Sequence, residues 1–203
     1  MLYDGDVVLG DLGNDTYVKD TFSTKRYTSA VINSFGHAVP MVAGQLQSTG
    51  KQAKAVTVRT EFSETRDLWE IYLTRAYAVP DLEKLTRTFI FERNGGGRVE
   101  IIDRVKFKGP QPQTFGTAII LGKEQKRENA DGSQFTVRGK QRSVRVEWKA
   151  ELSGEEKDPA LTLTEAPIIG IVPSERSHGT RVGLDFKTPV TEATIHLIIT
   201  PLP

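Results

Sequence analysis

At 203 residues the chain is long enough for one large β-domain or two small ones. Its 27 Lys+Arg against 26 Asp+Glu give a net charge of +1, without the one-sided charge of a nucleic-acid binder, though a local basic groove for an acidic polymer stays open. Cysteine is absent, which excludes a disulfide framework, a thiolate metal site and a cysteine nucleophile, and no stretch approaches the ~20 apolar residues that span a bilayer.

The N-terminus, Met1-Leu2-Tyr3-Asp4-Gly5, has neither a basic nor an apolar leader region, so no signal peptide is expected in this chain; it reads as the middle of a strand–turn–strand unit. Asp11 follows the apolar run Val7-Val8-Leu9 and sits between Gly10 and Leu12-Gly13, where an Asp ordinarily bonds its own backbone in a turn. In Asn33-Ser34-Phe35-Gly36-His37-Ala38-Val39-Pro40, Gly36 lets the backbone approach a neighbour closely and Pro40 fixes the exit direction. His37 is therefore the one histidine whose surroundings suggest more than a loop position.

From there on period two dominates. Val56, Val58, Thr60 and Phe62 predict one face of a strand, and Trp69, Ile71 and Leu73 the next. Pro80 to Leu85 allows one helical turn at most. Leu85, Arg87, Phe89 and Phe91 share a face before the turn Asn94-Gly95-Gly96-Gly97, which predicts a hairpin into Arg98–Lys108. In that second strand Val99, Ile101, Asp103, Val105 and Phe107 form the apolar face. With Arg87 and Asp103 opposite each other the hairpin makes a partly buried ion pair, the simplest remedy for a carboxylate on an apolar face, and its reading is structural. Val144, Val146 and Trp148 predict a further strand, as do Val182, Leu184 and Phe186, and then Ala193, Ile195, Leu197 and Ile199. The polar stretch 153–158 is expected to be a loop, His178 a loop residue, and His196 a residue of the solvent face. Asp4-Gly5, Gly13-Asn14-Asp15, Ser48-Thr49-Gly50 and Asp131-Gly132 mark turns. Many short strands with regular punctuation predict an all-β fold, a large antiparallel β-sandwich of supersandwich type in a single domain. There is no Gly-x-Ser-x-Gly, HExxH, phosphate loop or calcium loop.

Several segments in order carry a resemblance. They are Asp4-Gly5-Asp6-Val7-Val8-Leu9-Gly10-Asp11-Leu12-Gly13 with Tyr17, then Phe22 with Arg26-Tyr27, then His37 with Gly44-Gln45, then Leu73-Thr74-Arg75-Ala76-Tyr77. Thr86-Arg87-Thr88 paired with Ile101-Ile102-Asp103-Arg104 completes the set. Together they resemble the C-terminal β-sandwich of the heparinase II/III-like polysaccharide lyases. The family's polar residues are replaced by Ala38, Ala43 and Tyr72, whereas Asp11, His37, Gly44 and Gln45 are kept.

The resemblance implies that the sandwich packs against an N-terminal α/α toroid and that an anionic polysaccharide or oligosaccharide lies in the cleft between them. The implied reaction is β-elimination at a uronic acid, with the main tyrosine on the toroid and no catalytic residue assigned within this chain. It further implies a periplasmic or secreted whole protein, a possible zinc ion with Asp11 and His37 as ligands, and Gln45 at the substrate. A second histidine would come from a strand ahead of Met1. On this reading Asp11 and His37 approach each other at the sandwich edge. Two other classes compete: a non-catalytic carbohydrate-binding module, which wants an exposed aromatic row, and a structural β-domain, which needs neither Asp11 nor His37. Trp69 and Trp148 on apolar strand faces argue against the first of these.

Overall fold

A computed structural model describes residues 1–153, 159–172 and 179–203. Its strands are β1 (Leu2–Tyr3), β2 (Asp6–Val7), β3 (Met41–Val42), β4 (Val56–Phe62), β5 (Arg66–Tyr72), β6 (Leu82–Glu92) and β7 (Arg98–Phe107), then β8 (Phe115–Gly122), β9 (Lys126–Asp131), β10 (Gln134–Arg138), β11 (Ser143–Leu152), β12 (Leu161–Ile168), β13 (Gly179–Phe186) and β14 (Glu192–Leu202). Asp4 and Gly5, both at positive φ, turn β1 into β2. No helix among the described residues is long and apolar enough to cross a membrane.

Two antiparallel sheets make the sandwich. The larger has eight strands in the order β4-β5-β6-β7-β14-β11-β10-β9, and the smaller four, β12-β13-β8-β3. Alternation explains the layering. In β14, Ala193, Ile195, Leu197 and Ile199 point inward, paired through β11 with Leu152, Ala150, Trp148 and Val146. Phe115, Ile119, Leu121, Val182, Leu184 and Phe186 of the smaller sheet close over them, and a single core joins the two inner faces. Phe115 stacks on Phe186 at 6.3 Å between ring centres.

The hairpin of β6 and β7 has the expected turn, with Glu92 opposite Arg98 and Arg87 opposite Asp103. Pro80 to Leu85, which allows one helical turn at most, forms none: Leu82 already begins β6 and Lys108 N–H bonds the Asp81 carbonyl at 2.7 Å. One expectation fails in this region. In β4, a bulge between Thr57 and Arg59 breaks the parity, so Val56 and Phe62 do not share a face. Every residue of β4 is also exposed, so neither of its faces is covered among the described residues. Both edges of the large sheet carry charges, Arg59 and Glu61 on β4 and Lys126, Arg127 and Glu128 on β9, which discourages pairing with another chain.

The other face of the smaller sheet is covered by chain without long strands. Val31 packs on Ile120 and Ile168, with Leu12, Ala30 and Phe35 around them. Asp15 is buried there, bonding Ser29 Oγ at 2.5 Å and Ile171 N–H at 2.9 Å. His196 lies away from the core but only half exposed, its Nε2 2.8 Å from Glu100 Oε2. Of the 153–158 stretch only Ser153 is described, in a turn; the rest, and His178, lie outside the described residues.

Candidate functional site

His37 is placed by a short chain of local causes. Asn33 caps the 3-10 turn Ser34–Gly36, its Oδ1 accepting Phe35 N–H at 2.9 Å. Gly36 then runs against the preceding turn: a Cβ there would collide with the Ala30 carbonyl oxygen and lie 3.0 Å from Val31 Cα. The close approach expected of this glycine is thus real, and its partner is Ala30-Val31. Beyond it His37 is extended, at φ −122° and ψ 153°. Pro40 leads into β3, and its carbonyl accepts the buried Tyr77 hydroxyl at 2.7 Å. Burial pushes the Tyr77 phenol well above its usual range, so it acts there as a donor.

Two buried arginines hold the rest of this segment. Arg87, 3% exposed, makes a two-armed pair with Asp103, Nε to Oδ1 at 2.6 Å and Nη2 to Oδ2 at 2.7 Å. Its remaining donors reach Thr117 Oγ1 at 3.0 Å and the Ala38 carbonyl at 2.5 Å. Burial works against the Arg87 charge, but the Asp103 carboxylate outweighs it and raises its pKa. Arg181, 5% exposed, donates from Nη1 to the carbonyls of Phe35 and His37, both at 3.0 Å, and from Nη2 to that of Val39 at 2.9 Å. Burial lowers its pKa; the nearby Asp185, itself pushed up by burial, counters this in part.

Against this fixed segment lies Asp11. One carboxylate oxygen does what was expected of a turn residue, accepting Gly13 N–H at 2.8 Å. The other lies 2.6 Å from His37 Nδ1. The predicted approach of Asp11 and His37 is therefore met, at a partly open site with side-chain exposures of 33% for His37 and 53% for Asp11. In the tautomer that donates Nδ1–H to Asp11, Nε2 keeps its lone pair.

Two clefts meet the pair. A mixed one of about 510 Å³ is lined by Tyr27, Ile32, Asn33, His37, Leu46 and Gln47 among others. An apolar one of about 390 Å³ runs from Asp11 and Ala38 along Phe89, Val99 and Ile101 of the large sheet. Trp69, 43% exposed, stacks on its lining residue Phe89 at 5.5 Å. Trp148, on its apolar strand face, is 6% exposed, whereas the apolar face that carries Trp69 is open.

Gln45 lines neither cleft; Gln47, two residues on, lines the mixed one. Gln45 closes a tight turn, its N–H on the Val42 carbonyl at 2.8 Å, with Ala43 and Gly44 at φ 50° and 70°. Asp-Gly suits such a pair of positive φ angles, so the Ala43 departure weakens a turn preference. For zinc the fit is poor as arranged. Asp11 and His37 face each other at hydrogen-bond distance, and no group of three or more His, Cys, Asp or Glu gathers among the described residues.

No protein-family profile matches the chain, and no curated protein matches it. Solved structures do. Heparan sulfate lyase HepC from Pedobacter heparinus matches with a TM-score of 0.66 at 16% identity over 95% of this chain. The heparinase III BT4657 gene product matches at 0.68 and 13% over 96%, and a further heparinase III structure at 0.61 and 15% over 96%. The chain spans 28% of the length of each of these.

Proposed function

We propose, starting from a sandwich that shares its fold with the heparinase III structures, that this chain is part of a polysaccharide lyase. The reaction is β-elimination on a uronic-acid-containing anionic polysaccharide. The observation that carries the reading is the Asp11–His37 pair, 2.6 Å apart at the meeting of two clefts. In β-elimination a base removes the proton on carbon 5 of the uronate, electrons move to break the bond to the glycosidic oxygen, and an acid protonates that oxygen. Asp11 holds the His37 ring in one tautomer, and Nε2 exchanges a proton with the sugar. The charge that neutralises the uronate carboxylate, and the partner acid or base, belong to the longer protein, on a toroid domain facing the apolar cleft. That protein works in the periplasm or outside the cell.

Zinc belongs to the same proposal in a narrower form. It is an alternative to proton transfer at this nitrogen: with Nδ1 committed to Asp11, an ion on His37 Nε2 would occupy the lone pair that the proton needs, and its further ligands would come from outside the described residues. The second reading, a non-catalytic carbohydrate-binding module, draws on the exposed Trp69–Phe89 stack.

Titrating the isotope-labelled chain with heparan sulfate, chondroitin and alginate oligosaccharides tests these readings by NMR. Shifts centred on Asp11, His37 and Ala38 are expected, with no absorbance at 235 nm from this chain alone. Shifts confined to Trp69 and Phe89 would favour the binding module; none with any uronate would sink both. Zinc alone is expected to bind weakly and to move His37 signals only.

A further inference from the structure

We infer that Arg181, assisted by Arg87, is a positioning residue that fixes the His37 ring against Asp11. This rests on reading His37 as the proton-transfer group. The contacts fall in a pattern that packing alone does not require. The carbonyls of Phe35, His37, Ala38 and Val39 all accept from one of the two guanidinium groups, three from Arg181 and one from Arg87. The segment is partly buried and has no strand partner until β3; of these four carbonyls only that of His37 has a further backbone donor among the described residues, Val39 N–H at 2.8 Å. A guanidinium has five donors in one plane, so it can grip several carbonyls of a curved segment where an ammonium cannot.

The two arginines also approach from different layers. Arg181 projects from β13 of the smaller sheet, stacked over Phe35 at 5.4 Å, and Arg87 from β6 of the larger one. Between them they fix the backbone before, at and after His37. Asp11 adds only the last contact, on a side chain whose base is already set. Among the described residues no carboxylate lies within ion-pair distance of Arg181, so the carbonyls are its main polar partners there.

The test is spectroscopic. A proton held between an imidazole nitrogen and a carboxylate gives a resonance far downfield, which should be seen in the wild-type chain and lost in Asp11→Asn. It should also be lost in Arg181→Gln, with near-UV circular dichroism and the His196 ring signals unchanged. Arg181→Lys should recover it in part. An undiminished resonance in Arg181→Gln overturns the inference, and so does global unfolding of both variants, since that would make Arg181 a support of the fold and not of the ring. Uronate titration of His37→Ala tests the functional reading separately. A lost resonance in Arg181→Gln with unaltered sugar binding in His37→Ala would leave the positioning role standing and remove the lyase reading.

Discussion

The large sheet and the segment from Gly10 to Pro40 satisfy their backbones in opposite ways. In β7, β14 and β11 each strand is bonded on both sides by a ladder, and the side chains need only alternate. The Gly10–Pro40 segment contains no described strand; local turns meet many of its carbonyls, and between Phe35 and Pro40 Arg87, Arg181 and Tyr77 reach in from other elements. The sheet thus depends on a pattern, and the site segment on a few individual side chains. The proposed site lies where single residues matter most, which is also where alternation says least.

If that contrast is right, substitutions at the junction should be costly and those at the open rim cheap. Arg87→Met comes first: it leaves Asp103, 0% exposed, as an uncompensated buried charge, and a loss of about 3–5 kcal/mol is expected in urea unfolding. A loss below about 1 kcal/mol would mean that Asp103 takes up a proton or water at little cost. Gly36→Ala is next. Forcing a methyl group against the Ala30 carbonyl should cost about 1–3 kcal/mol and move amide signals from residue 30 to 40 while leaving those of β11 and β14 in place. Signals changing evenly over both regions would erase the distinction. Asp11→Asn should be smallest, under about 1 kcal/mol, because the pair is partly solvated, yet it should remove the downfield His37 proton. A larger drop in stability would make Asp11 a structural residue first.

Much of the sheet was legible because its rule is local. The alternation in Arg98–Lys108 and the glycines at 94–97 gave the hairpin, and the cost of a buried carboxylate gave the Arg87–Asp103 pairing before any register was known. β4 misled because alternation reports a two-faced strand without saying whether anything covers a face, and because a bulge is invisible in a list of apolar residues. For the site, Gly36 and Pro40 drew attention to His37, while its meeting with Asp11 followed from the family resemblance. Arg181 gave no such signal. It lies on the parity opposite Val182 and Leu184, which reads as solvent-facing until the chain around Phe35 folds over it. A residue buried by an irregular segment carries no periodic mark.

The reach of Arg87 has one more consequence. Its partners lie 16, 30 and 49 residues away, in Asp103, Thr117 and Ala38. One planar group therefore closes three loops of very different length, and the free energies obtained by removing its partners singly will not sum to that obtained by removing it. A double-mutant cycle drawn between any two of those partners measures a shared node more than a pair.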